Sequence, residues 1–313
     1  VRIVFAGTPA PAVPVLRGLI GSDHEVVAVL TRPPARKGRG RALSPSPVGE
    51  LAAEASLEVI EASNFKDAEI RDRVRRLGAD LGVVVAYGAL IPAEVLEMPA
   101  HGWINLHFSD LPQYRGAAPV QWAILRGETR TASSVFQLEA GLDSGPVFSR
   151  LPVDIGHETA GQLLDRMAEL GVGQVLEVVD AIEAGSAVAV PQDEGEGLIH
   201  ARRLSVQDGF IDFLSSAAEV DRRIRALSPN PGAWTVLPDG KRLKLGAVTV
   251  SDEDGPEPGI VEAAKRCVRV GCGIGSVELG RVAPAGKGWM EASAWARGAR
   301  LAPGARLGRG EGS

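Results

Sequence analysis

Ile3, Val4, Phe5 and Ala6 form a short apolar run that ends in Gly7-Thr8-Pro9, after which Val13, Leu16, Leu19 and Ile20 recur with helical spacing. The pattern predicts a strand, a turn and a helix. A second buried-type run at residues 25–30 predicts another strand. Ser46-Pro47 then supplies a cap and a first-turn proline for a helix reaching residue 55. Further strands are expected at 57–60, 82–87 and 103–107, and a charged helix at 67–78, whose mixed acids and bases at helical spacing mark a solvated face. Strands and helices alternating at these lengths predict an α/β fold: a doubly wound, mostly parallel Rossmann-like sheet with ligands at the carboxyl ends of its strands.

After residue 127 the pattern changes. Strands are expected at 132–139 and 146–155, followed by one long helical periodicity over 159–184. Residues 186–198 are rich in Gly, Pro, Asp and Glu with little periodicity, as in a linker. Beyond them come a capped amphipathic helix at 216–227 and short strands at 234–237, 241–250, 259–263, 267–270 and 276–279, the spacing of a small C-terminal β-barrel of OB-like type. The expected organisation is a first domain at 1–188, a linker at 189–202 and a barrel at 203–313.

Composition narrows the class. The chain has 313 residues, 45% hydrophobic and 23% charged, enough for two domains with proper cores. No apolar stretch approaches the roughly 20 residues that span a bilayer, and no leader pattern is evident, so a cytoplasmic protein without a membrane partner is expected. Cys267 and Cys272 have the wrong spacing for a zinc knuckle and read as reduced structural thiols. Charge is uneven: from Ala201 onward 17 Lys plus Arg face 13 Asp plus Glu, whereas before it acids outnumber bases 26 to 17. A basic second half permits contact with a polyanion.

Candidate chemistry concentrates where the strand Ile104-Asn105-Leu106-His107 runs into the loop Ser109-Asp110-Leu111-Pro112. Residues two apart on a strand share a face, so Asn105 and His107 point one way and Leu106 the other. Further on, Asp143 lies in a loop flanked by Gly141 and Gly145. An amide, an imidazole and a carboxylate suit acyl transfer to an amine: the amide stabilises an oxyanion, the imidazole moves protons, and the carboxylate favours the cationic imidazole.

These residues, with Gly116-Ala117-Ala118-Pro119, the opening Phe5-Ala6-Gly7-Thr8-Pro9, Arg39-Gly40, Ala86-Tyr87-Gly88 and Ser228-Pro229-Asn230-Pro231-Gly232-Ala233-Trp234, closely resemble the folate-dependent formyltransferases. The resemblance spans nearly the whole chain. It implies 10-formyltetrahydrofolate as donor and initiator methionyl-tRNA as partner, accepting at the free α-amino group of its methionine, and no metal; a monomer is expected. It implies Asn105, His107 and Asp143 as the catalytic set, Asp143 either fixing His107 or relaying a proton. Ser109, Asp110, Leu111 and Pro112 are implied as the folate site, with Ala86, Tyr87 and Gly88 nearby. Arg36, Lys37, Arg39 and Arg41, in an acid-free loop, are implied to meet the acceptor end of the tRNA.

Two other readings stay open: a formyltransferase for a different amine, such as a nucleotide-linked amino sugar, and a catalytically weak relative that binds tRNA or folate. The chain departs from the family pattern at Asp110, where leucine is usual, at Arg203, near which lysine is usual, and in the strand beginning Ala132-Ser133-Ser134-Val135, which lacks an expected glycine. His24, His101, His157 and His200 read as structural. So do Gly271, Gly273 and Gly275, which lie among strands with no following helix, and Trp103, Trp234 and Trp295, whose default is buried packing.

Overall fold

The computed structural model describes residues 1–37, 42–193, 195, 197–251 and 255–308, without the side chains of residues 37 and 42. The chain divides into two compact units. The first comprises Val1–Pro119, Arg130–Asp154 and Leu164–Ala201, and the second Val120–Thr129, Ile155–Leu163 and Arg202–Ser313.

The first unit opens with β1 (Arg2–Gly7), α1 (Val13–Ile20) and β2 (Glu25–Thr31). A small hairpin of β3 (Ala35–Lys37) and β4 (Ala42–Ser44) leads to α2 (Pro47–Glu54) and β5 (Glu58–Glu61). Next come α3 (Ala68–Arg76), β6 (Leu81–Val85), α4 (Ala93–Leu96), β7 (Trp103–His107) and the two-residue β8 (Arg115–Gly116). After α5 (Pro119–Arg126), the chain forms β9 (Arg130–Gln137), β10 (Val147–Asp154), the long α6 (Ala160–Glu183) and β11 (His200–Ala201).

Seven of these strands make one sheet in the order β10-β9-β7-β6-β1-β2-β5. Five run parallel, and β9 and β10 add antiparallel to the edge beside β7. From central β1 the chain first builds outward through β2 and β5, then crosses to β6 and β7. That reversal is a topological switch point, and the crevice outside the carboxyl ends there is where ligands bind in such sheets. Thr8 ties these ends together, its hydroxyl donating to the Tyr87 carbonyl at 2.8 Å.

Local chemistry sets these elements. Ser46 caps α2, accepting from the Gly49 amide, and Asp67 caps α3, accepting from that of Glu69. Trp103 is fully buried and donates its indole N–H to the Val95 carbonyl at 2.9 Å. It faces Gly82 across the β6–β7 ladder, where a Cβ would come within 2.1 Å of the indole. On the opposite face of β7, Leu106 packs against Gly171 of α6, where a Cβ would sit 2.5 Å from the leucine methyl. Two glycines thus let β7 be clamped closely on both faces. His24, read as structural, is buried and pairs with Asp180 at 2.9 Å.

In the second unit α7 (Ala217–Ala226) starts at a capping box between Ser216 and Glu219. The strands are β12 (Ala233–Val236), β13 (Arg242–Leu245), β14 (Val248–Ser251), β15 (Val261–Ala263), β16 (Val268–Gly271), β17 (Ser276–Leu279), β18 (Arg281–Pro284) and β19 (Met290–Glu291), with α8 at Ala292–Ala299. They form two antiparallel four-stranded sheets, β12-β13-β18-β19 and β14-β17-β16-β15, over a core that includes Phe213, Val220, Leu243, Val270, Val277 and Trp295. The run 241–250, expected as one strand, breaks at Gly246, which abuts the Arg281 carbonyl, so that its halves join different sheets. The pattern did not predict β18, β19 or α8. Gly271 and Gly273 sit where a Cβ would strike the carbonyls of Pro256 and Leu214, in keeping with a structural reading. Both cysteines are free, and burial pushes the Cys272 thiol up to about 11. Among the described residues no helix is long and apolar enough to cross a membrane.

The last segment of the second unit begins at an ion pair. The Arg202 guanidinium donates to both carboxylate oxygens of Asp208, at 2.6 and 3.0 Å, and the Ser205 amide adds a bond at 2.7 Å. The guanidinium, then the amide, holds the Asp208 carboxyl well below the usual carboxylate range. A depressed native pKa contributes stability above the unfolded value of about 4 and loses it as pH falls toward the native value. Asp208→Asn is therefore expected to lower the Tm at pH 7, with the gap to the parent protein narrowing as thermal melts are moved from pH 5 to pH 2.

Candidate active site

β7 delivers two polar side chains to the carboxyl end of the sheet. His107 is 7% exposed, and its Nε2 lies 3.0 Å from the Tyr114 carbonyl oxygen. A carbonyl only accepts, so Nε2 carries the proton in that bond and Nδ1 is left as the free nitrogen. Nδ1 lies 3.9 Å from Asp143 Oδ2. That is too long for a hydrogen bond but close enough for the carboxylate to stabilise positive charge on the ring. The ring also meets Phe136 edge-on, with centroids 6.3 Å apart. Asn105, one strand repeat earlier, has a buried side-chain oxygen with no hydrogen-bond partner among the described residues. An orphaned buried amide atom is rare and calls for an explanation, and a polar ligand is one.

Asp143 is held from several directions. Its Oδ2 accepts from the Gly116 amide at 2.8 Å. Its own backbone is left-handed, with φ +48°, an uncommon conformation for a residue with a Cβ. Tyr114, whose carbonyl orients His107, is also left-handed at φ +60°.

The loop after β7 is braced by residues the sequence reading did not single out as supports. Ser109 is fully buried and donates to the Gln113 carbonyl at 2.7 Å. Ser134 on β9 donates to the Ser109 carbonyl at 2.7 Å and accepts from the Leu111 amide at 3.3 Å. Its neighbour Ser133 donates to Gln174 at 2.6 Å. Both serines, in the strand that lacks the expected glycine, therefore have buried partners. Asp110 points outward, 3.4 Å from the Arg150 guanidinium, which also donates to the Leu111 carbonyl at 3.0 Å. Pro112 completes this loop.

At the end of β6, Ala86 and Gly88 are left-handed, at φ +48° and +80°. Tyr87 between them is turned into the core: its hydroxyl donates to the Ala62 carbonyl at 2.9 Å, and burial pushes its pKa up to about 12. Its phenol is thus turned away from the crevice. In the basic loop, β3 and β4 pair Arg36 with Leu43 and Lys37 with Ala42, and Arg36 is exposed. Arg39 and Arg41 lie outside the described residues.

Residues 1–179 match the formyl transferase family, and residues 203–300 match the formyl transferase C-terminal domain. The chain belongs to the formyl transferase family. It is 49% identical over 306 residues to a methionyl-tRNA formyltransferase from Salinispora tropica, covering 97% of this chain and 98% of that one. To a methionyl-tRNA formyltransferase from Thermobifida fusca it is 48% identical over 309 residues, covering 98% and 99%. Among solved structures it resembles WlaRD, a sugar 3N-formyl transferase in the presence of dTDP and 5-N-formyl-THF, with a TM-score of 0.66 and 16% identity, over 92% of this chain and 98% of that one. At that distance the likeness shows the fold alone.

In this formyl transferase the brace formed by Ser134 is open to test. Ser134→Ala leaves the Leu111 amide and the Ser109 carbonyl without their buried partner, a loss of about 1–3 kcal/mol. The variant is expected to melt at a lower temperature, with faster amide hydrogen exchange at residues 109–113 than elsewhere in the sheet.

Proposed function

We propose that this protein transfers the formyl group of 10-formyltetrahydrofolate to the free α-amino group of methionine on initiator methionyl-tRNA, giving formylmethionyl-tRNA, and that it does so as a cytoplasmic monomer without a resident metal. The observation that carries the reading is the approach of His107 Nδ1 to the Asp143 carboxylate at 3.9 Å, on the strand face that also presents Asn105, whose side-chain oxygen has no partner among the described residues. Identity near one half, over the full length, to proteins named for this reaction supports the choice of acceptor.

The chemistry follows from the geometry. The acceptor amine forms a bond to the formyl carbon, and the carbonyl electrons move onto oxygen. Asn105 donates its amide N–H to that oxyanion. His107 takes the amine proton on Nδ1, the nitrogen left free by the Tyr114 bond, and Asp143 stabilises the resulting cation. As the bond from carbon to the folate nitrogen breaks, the proton passes from Nδ1 to that nitrogen and tetrahydrofolate leaves. Ser109, Asp110, Leu111 and Pro112, with the backbone of residues 86–88, would hold the donor. Arg36, Lys37, Arg39 and Arg41 would meet the tRNA acceptor end.

A second surface favours a polynucleotide over a nucleotide-linked sugar. In the second unit a cavity of about 470 Å³ is lined by Trp234, Trp289, Arg242, Lys244 and Lys287, with no acid among its lining residues. Trp289 is 47% exposed, and Arg242 stacks on the Trp234 ring at 4.0 Å. An exposed ring beside a cluster of cations suits stacked bases and phosphates. Of the tryptophans weighed from sequence, Trp103 and Trp295 are buried; Trp289 was missed because exposure, not residue type, distinguishes it.

Incubation with 10-formyltetrahydrofolate and initiator methionyl-tRNA is expected to yield an acid-stable formyl amide, while a nucleotide-linked amino sugar is not formylated; the reverse preference sinks the reading. Asn105→Ala is expected to reduce kcat by about 100- to 1000-fold with the fold intact by circular dichroism, the effect of removing an oxyanion donor.

The groove makes a separate demand on affinity. Loss of one stacked base contact weakens binding by at least about 1 kcal/mol, a factor of about five. Trp289→Ala should therefore raise KM for tRNA roughly fivefold while kcat holds, and nucleotide-induced quenching of tryptophan fluorescence should diminish.

A further inference from the structure

Residues 189–202, expected as a linker, include several that are hydrogen-bonded into the first unit beside the candidate site. Val190 exchanges backbone hydrogen bonds with Val147, at 2.8 and 2.9 Å, on the edge of the sheet. Gln192 donates from its single side-chain nitrogen to two carbonyls, those of Asp143 at 2.8 Å and Gly145 at 2.7 Å. Its side-chain oxygen accepts from Nε and Nη2 of Arg115, at 3.1 and 2.8 Å. Arg115 is itself buried, 7% exposed. Further along, the Ile199 carbonyl accepts from the Tyr114 amide at 2.8 Å, and the Ile199 amide donates to Gln113 at 3.1 Å. β11 then pairs in parallel with β8, at Arg115 and Gly116.

These contacts converge on the two residues that set the His107–Asp143 geometry. Tyr114 presents the carbonyl that orients His107, and Gly116 presents the amide that holds the Asp143 carboxylate. Asp143 and Tyr114 both sit in left-handed backbone that a side chain disfavours by about 1–3 kcal/mol. Such conformations persist only where surrounding bonds enforce them. At Asp143, Gln192 donates to the carbonyl of that residue and to that of Gly145 two residues on, and Arg115 fixes the amide so that its N–H groups face them.

We propose that Gln192, oriented by Arg115, is a positioning residue that holds the Asp143 loop in its left-handed turn and thereby sets the distance from the Asp143 carboxylate to His107 Nδ1. The proposal rests on the formyl-transfer reading for its kinetic test but not for its spectroscopic one. The effect of Gln192 passes through Asp143, so it acts on turnover more than on binding. Displacements of about 1 Å at a catalytic group lower rates by up to about 100-fold.

Gln192→Glu separates this role from packing. Glutamate keeps the shape and accepts from Arg115, but a carboxylate cannot donate to the Asp143 and Gly145 carbonyls. Steady-state kinetics with 10-formyltetrahydrofolate and methionyl-tRNA are expected to show kcat lowered about 10- to 100-fold, with KM for both substrates within about twofold of the parent. Placed on Asp143→Asn, the same substitution is expected to cause almost no further loss, because the group it positions is already gone. A Gln192→Glu enzyme turning over within about twofold of the parent, or losses that multiply in the double variant, overturns the proposal. Histidine-selective ¹⁵N NMR of the ligand-free protein supplies the arm that needs no substrate. Gln192→Glu and Asp143→Asn should move the His107 ring resonances in the same sense, while His24 and His157 stay put; unmoved His107 signals in a folded variant also overturn it. A parent protein inactive with these substrates counts against the proposed function, while the NMR arm still decides the role of Gln192.

Discussion

The hydrogen bond from His107 Nε2 to the Tyr114 carbonyl constrains everything else at the site. Because the acceptor has no proton to give, the bond fixes both the ring plane and the nitrogen that bears hydrogen, and it aims Nδ1 toward Asp143. A histidine anchored through one nitrogen can cycle a proton on the other without losing its orientation. The anchor depends in turn on Tyr114 adopting a positive φ, which the Ile199 carbonyl supports by accepting from its amide. The strand end and the loop after it therefore hold together as one arrangement.

Beneath that arrangement the sheet supplies rigidity through close approach. Gly82 admits the Trp103 indole on one face of β7, and Gly171 admits Leu106 on the other. With both faces packed and buried, the two polar side chains are carried at a fixed height above the sheet. The switch in strand order between β1 and β6 opens the crevice beside them. Fold and site are linked at single residues: Leu106 belongs to the core and its two neighbours to the chemistry.

Much of this was legible in the chain. Strand β7 occupies the residues that the apolar alternation predicts, and the Ser46 and Ser216 caps start helices where their side-chain oxygens predict. The alternation also places Asn105 and His107 on one face. Spacing could not show that Tyr87 turns its hydroxyl inward, since the same residue type serves a core or a crevice until its partner, Ala62, is known. Nor could it show the supports. Ser134, Arg115 and Gln192 act through partners far away in sequence, and a polar residue in a Gly- and Pro-rich stretch has the same local signature whether it is solvated or bonded. β18 and β19 were missed for a related reason: they are short, and Arg281, Gly286 and Gly288 interrupt the alternation that marks longer strands.

Charge around the site argues for the size of the acceptor. Asp110 would place a negative charge beside a donor that is itself an anion, but Arg150 lies 3.4 Å away and also anchors the Leu111 carbonyl, so the added charge is balanced where the loop is fixed. In the second unit, by contrast, the groove lined by Arg242, Lys244 and Lys287 has no acid among its described lining residues. A nucleotide-linked sugar brings two phosphates and occupies a few cations at one place. A polynucleotide releases counterions at each phosphate it lays on protein, so cationic surface remote from the chemistry still adds affinity. Under the proposed reading, a basic hairpin in the first unit and a cationic, tryptophan-lined groove in the second are both put to use by a long polyanion, whereas a small sugar nucleotide leaves at least one of them without a role.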